Sequence, residues 1–254
     1  NSKEARLRFV EGASLRFDTF PDYLGYEIIP VIWDCWPRYV ENMAKWFHKH
    51  KVQTAFFTSS QTAERMRSLC PNVNINHLPE AIETELYHAG KPLSERSIDY
   101  LEFGRCSRIL DSTQFDKSII VLSSRNERTG LKTRAQLADA LADSKITLAL
   151  TRLDNQPELA EGVDTLTQRY WECMLSGVVI LGRAPQELID IIGYDPVVHL
   201  DKDNANDQIL GILEHIEDYQ ELVDRNRQRA LEHGDWKVRI EWMMGVMKKQ
   251  GYEV

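Results

Sequence analysis

Within residues 162–182, GVDTLTQRYWECMLSGVVILG, two acids, two threonines and an arginine fall inside nine positions: Asp164, Thr165, Thr167, Arg169 and Glu172. Wound at about 100° per residue, the stretch puts Leu166, Tyr170, Cys173, Met174 and Gly177 on one side. Thr165, Gln168, Arg169, Glu172 and Ser176 fall on the other, so the pattern predicts an amphipathic helix. A helix N-terminus offers backbone N–H groups and the positive end of the helix dipole, which suit a phosphate. Thr165 and Thr167 add hydroxyls and Arg169 adds charge. Glu172 accepts hydrogen bonds at both carboxylate oxygens and so matches a pair of sugar hydroxyls. The plainer alternative is that Asp164 caps the helix and Glu172 is a solvated surface acid.

Such a constellation needs a frame that aims the helix N-terminus at a ligand. Upstream, YEIIPVIWDCW (26–36) reads as a strand, Pro37 opens the helical RYVENMAKWFHKH, QTAFFTSS (53–60) is a second strand and QTAERMRSLC a second helix. NVNINH begins a short strand that leads into an irregular connection through Pro79 and Gly90. Then come strands in SIDYLEFGR and KSIIVLSSR, a helix RAQLADALADS, the strand KITLALTR, the polar loop LDNQPELAEG and the helix above. VVILG, APQELIDIIG and PVVHL read as strand, helix, strand, and two long helical patterns, DQILGILEHIEDYQELVDRNRQRALEH and DWKVRIEWMMGVMKKQ, close the chain. Alternating strands and helices predict an α/β fold with parallel sheets flanked by helices. Ligands in such sheets collect beyond the carboxyl ends of the strands, where the segment after KITLALTR begins.

At 254 residues the chain suits one large domain or two small ones, and 43% hydrophobic with 28% charged residues is ordinary for a globular protein. A net charge of −8 argues against a broad nucleic-acid or anionic-membrane surface while leaving room for a local phosphate pocket. No apolar run approaches the ~20 residues of a membrane span, and NSKEARLRF lacks the apolar centre of a signal peptide. The expected location is cytoplasmic, with peripheral contact at a membrane surface as the open alternative. Cys35, Cys70, Cys106 and Cys173 are scattered without a CxxC pair and are expected to be free thiols.

Other residues invite chemistry more weakly. Asp201 and Asp203 form a DxD after PVVHL, a spacing that can hold a divalent metal, but the following helix gives Asp203 or Asn204 a capping role instead. His48 and His50 are two apart on a helix and do not face each other. Trp33, Trp36, Trp46 and Trp242 can stack on sugars but fit a core or an interface better. Asp18, Asp34 and His77 are the candidates for a general base, and nothing in the pattern selects among them.

The 162–188 segment resembles the donor-binding half of the GT-B glycosyltransferases, whose retaining members carry a Glu-x7-Glu motif leading into EAMACGxPVV and a PExI helix. Here Asp164 and Glu172 stand with seven residues between them before CMLSGVVILG and APQELI, with Asp in place of the first Glu. DYLEFGR is similar to the family's strand ending in GR, which puts Arg105 at the position that meets the donor diphosphate; the family's following Lys has no match, and Arg108 is the nearest cation. NINHLPEAIETELY is similar to the family's PxGxDxxxF stretch, and the last helix to the one that crosses back to the first domain.

The resemblance implies two Rossmann-like domains, the first short or truncated: residues 1–85 on the acceptor side, 86–235 as the nucleotide-sugar domain and 236–254 as the returning helix. It implies transfer of a sugar from a nucleotide-diphosphate sugar, held between the domains, to a glycan, a lipid-linked glycan or another hydroxyl acceptor. The donor would lie on Arg105, Thr165, Leu166, Thr167, Arg169 and Glu172, with the backbone amides of 165–167 on the diphosphate, Glu172 on the ribose and Asp164 at the donor sugar as the catalytic residue. No metal or other cofactor is expected, and the outcome leans towards retention. A nucleotide-sugar epimerase of the same fold and an inert binding or scaffold protein are the alternatives.

Overall fold

A computed structural model describes residues 4–104, 110–124 and 131–253, folded as two compact units. The first comprises Asn1–Glu80, Gln156–Leu166 and Lys237–Val254; the second comprises Ala81–Asn155 and Thr167–Trp236. The connection therefore crosses at Glu80, and the segment 156–166 joins the first unit, whereas the sequence divides at 85 and assigns that segment to the donor side.

The first unit is built on four parallel strands in chain order: β1 (Ala5–Glu11), β2 (Glu27–Trp33), β3 (Thr54–Phe57) and β4 (Asn74–His77). A single turn, α1 (Leu15–Asp18), follows β1, and α2 (Pro37–His50) and α3 (Ser60–Leu69) make the later crossovers. The five central residues of β2 and all four of β3 are buried, as strands covered on both faces must be. Pro37 opens α2 at its first turn, where a missing N–H costs nothing, and Ser59 caps α3 by accepting from the Thr62 amide. Ile28, Ile32, Phe47, Ala55, Phe57 and Met66 meet in the core. β1 is absent from the sequence reading because ARLRFVE is an edge strand with one buried residue, Val10, and carries no apolar run.

In the second unit five parallel strands run in the order β6-β5-β7-β8-β9: β5 (Ile98–Glu102), β6 (Val121–Ser123), β7 (Ser144–Ala149), β8 (Val179–Gly182) and β9 (Val198–His199). The helices are α4 (Arg134–Ala142), the turns α5 (Arg152–Asn155) and, in the first unit, α6 (Pro157–Ala160), then α7 (Gln168–Ser176), α8 (Gln186–Ile192), α9 (Ala205–Glu214) and α10 (Gln220–His233), while α11 (Trp236–Lys249) belongs to the first unit from Lys237 onward. A capping box opens α4: Thr133 accepts from the Gln136 amide and the Gln136 side chain accepts from the Thr133 amide. The long closing pattern is not one helix. A tight turn at Ile216–Tyr219 separates α9 from α10, burying Ile216 and placing the Gln220 side-chain oxygen 2.9 Å from the Leu93 amide, tertiary contacts that local periodicity does not announce. Among the described residues no helix is long and apolar enough to cross a membrane.

Candidate functional site

The strand order decides where a ligand belongs in the second unit. From β5 the chain moves to β6 on one side, then returns to β7 on the other, so the switch point lies between the carboxyl ends of β5 and β7. A crevice opens at such a point in doubly wound sheets. α7 follows β7 and packs on α4 and α10 as well as on β7 and β8.

That packing narrows the polar face drawn from the sequence. Tyr170, Trp171 and the run Cys173 to Ser176 are all buried, leaving only Gln168, Arg169 and Glu172 of α7 partly exposed; Ser176 belongs to the interior, not to the ligand side. The helix also begins later than expected. Its first residue is Gln168, Thr167 is the extended residue before it with no side-chain cap bond, and Asp164 is not the cap. The helix-terminal backbone is therefore that of Gln168 to Tyr170 rather than of 165–167. At the other end Gly177, at φ +63, closes the helix with its amide on the Met174 oxygen (3.1 Å) and the Val178 amide on the Cys173 oxygen (3.3 Å), a Schellman ending.

Arg169 reaches the switch point. Its guanidinium lies 5.0 Å from the centre of the Phe103 ring, just past the end of β5, a cation–π distance. Gly104 follows at φ +67, and a Cβ built there would overlap the Arg169 guanidinium. Glycine at this position thus serves both an L-residue-averse backbone and the close approach of the arginine.

Glu172 is not a solvated surface acid. Its Oε1 accepts a hydrogen bond from the Tyr87 hydroxyl at 2.8 Å, and Tyr87 is 5% exposed. Burial pushes the Tyr87 phenol well above the usual tyrosine range, and the Glu172 charge and hydrogen bond push it further. Both residues line a pocket of about 170 Å³ together with Ile82, Leu86, Arg134 and Gln168. Tyr87 carries no role in the sequence reading; the signal was its hydroxyl at the end of EAIETELY, where the family pattern has phenylalanine.

The remaining predicted residues divide between the units. Asp164, Thr165 and Leu166 lie in the first unit, where the Asp164 amide donates to Gln61 Oε1 at 3.0 Å. Leu166 is fully buried, so its side chain fills core rather than meeting a donor. Arg105 and Arg108 lie outside the described residues, as does Cys106; Cys35, Cys70 and Cys173 are buried and in no disulfide, and burial pushes Cys35 up to about 12.

Asp201 accepts from the backbone amides of Asp203 (3.1 Å) and Asn204 (3.3 Å) and from the Asn204 side chain (3.0 Å), which organises the turn before α9. Those bonds, led by the Asn204 side chain, hold its carboxyl below the usual range. His50 stacks on Trp46 with ring centres 4.5 Å apart, Trp36 is buried, and Trp242 meets Phe56 edge-on at 6.1 Å.

A charged network absent from the sequence reading braces the strand ends beside α7. Arg183, just past β8, donates to Asp154 from Nε (2.9 Å) and Nη2 (2.8 Å) and to the Thr151 hydroxyl (3.0 Å). The Arg183 carbonyl accepts from the Tyr170 hydroxyl at 2.5 Å, tying the first turn of α7 to β8. Burial works to raise the Asp154 pKa, but the hydrogen bonds and charge of Arg183, with Thr151, outweigh it and lower it from 3.8. A depressed folded-state pKa means that this stabilisation is complete above the unfolded value and is lost as pH falls through the folded one. Arg183→Ala is expected to cost about 2 kcal/mol at neutral pH and to flatten the acid limb of the stability curve below about pH 4. Chemical denaturation from pH 7 down to pH 2 checks this, and an unchanged acid limb would assign the pH dependence to other carboxylates.

Two α/β units, each built on a parallel sheet flanked by helices, define a GT-B glycosyltransferase fold. The same architecture is found in a sucrose-phosphate synthase from Thermosynechococcus elongatus, with a TM-score of 0.56 at 9% identity over 97% of this chain and 99% of that one. It is found also in TarM, with a TM-score of 0.59 at 9% identity over 94% of this chain and 54% of that one. The chain belongs to the glycosyl transferase-like family, which it matches over residues 114–245. No curated protein matches it in sequence.

Proposed function

We propose that the second unit binds the nucleoside diphosphate of a sugar donor and that the chain transfers the sugar to an acceptor hydroxyl with retention of configuration. The observation that carries this reading is the pair on the exposed side of α7: Arg169 against Gly104 at the β5 end, and Glu172 one turn on, held by Tyr87. A cation at the switch point suits the diphosphate, and a carboxylate in a small pocket suits the ribose hydroxyls.

As the bond to the sugar breaks, negative charge grows on the departing diphosphate. Arg169 and the first turn of α7 are set to meet it with fixed charge and dipole, and Arg105 joins them on the family resemblance. This supply of positive charge makes the reading metal-free. Asp164 is the carboxylate assigned to the donor sugar, on the resemblance alone. The acceptor is a glycan, a lipid-linked glycan or another hydroxyl compound, and the cytoplasmic location belongs to the same reading.

Incubation with UDP-, GDP-, ADP- and CMP-sugars and a mixed glycan acceptor tests it. The expected result is release of one nucleoside diphosphate and a product whose anomeric configuration, read by NMR, matches the donor. Inversion would overturn the retaining assignment. Free sugar rearranged at C2 would make the chain an epimerase, and binding without turnover of any donor would make it an inert member of the fold.

A further inference from the structure

We propose that Tyr87 is the positioning residue for Glu172, fixing its carboxylate so that the pocket distinguishes a ribose with both hydroxyls from a deoxyribose; this rests on reading α7 as the nucleotide-binding helix. A buried phenol hydroxyl needs an acceptor, and that of Tyr87 finds Glu172 Oε1 at 2.8 Å. One carboxylate oxygen is thereby engaged from within the unit, and the side chain is held in one orientation while it lines the pocket. Glutamate otherwise loses considerable rotamer freedom on ordering, and a carboxylate ordered beforehand spends less binding energy on that step.

The segment carrying Tyr87 is itself anchored. The Ile82 amide donates to the Gly234 carbonyl (2.9 Å), the Trp236 amide donates to the Ile82 carbonyl (3.2 Å), and the Thr84 hydroxyl donates to Asp235 at 2.5 Å. One residue beyond Tyr87, His88 Nε2 lies 3.0 Å from Asp139 on α4. Gln168 and Arg134 on the pocket wall supply the further polar groups.

Calorimetric titration of UDP, GDP and ADP, each beside its 2′-deoxy form, into wild type, Tyr87→Phe, Glu172→Ala and the double variant tests the assignment. Wild type is expected to favour the ribonucleotide tenfold or more. Tyr87→Phe, which keeps the ring, is expected to lose about five- to tenfold for the ribonucleotide and less than twofold for the deoxy form. In the Glu172→Ala background the same change is expected to do nothing more. A wild-type ribose preference in Tyr87→Phe, lost only in Glu172→Ala, would overturn the role of Tyr87 and leave the nucleotide reading standing. A preference that survives Glu172→Ala, or no binding by any nucleotide, would overturn both. Tyr87→Met, equally without a hydroxyl, decides the matter if the phenylalanine variant fails to fold.

Discussion

Arg169→Ala is expected to weaken binding of a nucleoside diphosphate by about 10- to 100-fold while the free nucleoside binds within about twofold of wild type, because a hydrogen bond to a charged group contributes ~1.5–3 kcal/mol. The expectation comes from position. Arg169 is on the first turn of α7, its guanidinium lies over Phe103, and Gly104 leaves the space it fills at the carboxyl end of β5. Gly104→Ala provides an independent check, since it leaves the arginine in the chain but takes its place. A φ of +67 costs an alanine about 1–2 kcal/mol, and the added methyl displaces the guanidinium, so diphosphate binding should fall alongside stability. Equal losses for nucleoside and diphosphate in Arg169→Ala, measured by calorimetry, would show that this arginine does not meet phosphate.

Gly182→Ala is expected to be strongly destabilising to the second unit. Gly182 ends β8 at φ +142, pairs with Ala149 on β7, and a Cβ there would overlap the Ala149 carbonyl oxygen. The obstacle is backbone of a neighbouring buried strand, which cannot swing aside as the Arg169 side chain can. Strain and overlap together should cost about 3–5 kcal/mol, or roughly 10 °C in melting temperature for a chain of this size. Circular dichroism on heating reads it directly. A variant melting within about 2 °C of wild type would mean that β7 and β8 can separate locally, contrary to the tight pairing that places Arg183 and, through Tyr170, the start of α7.

Much of this frame was legible because it is local. The apolar runs of β2, β3, β7 and β8 announce strands buried on both faces, Pro37 announces a helix start, and the alternation predicts parallel sheets. The edge strand β1, with little buried surface, leaves almost no such imprint. Within α7 the period of the helix identified Arg169 and Glu172 as partly exposed, yet it placed buried Ser176 beside them, since periodicity does not tell a solvated face from one covered by α4 or α10. The contacts that make the site, Tyr87 with Glu172 and Asp154 with Arg183, join residues 85 and 29 positions apart, and no local pattern encodes such pairings. Likewise the division between Leu166 and Thr167 follows from tertiary packing, which sends Asp164 to the first unit and Glu172 to the second.

The central claim is that α7 presents a nucleoside diphosphate site that works without a metal. Its most direct test is calorimetric titration of UDP, GDP and ADP into wild type and Glu172→Ala in the presence of EDTA. The account predicts that one diphosphate binds wild type at one site per chain and binds Glu172→Ala at least tenfold more weakly. Absence of binding by all three, or equal affinity for both proteins, would contradict it.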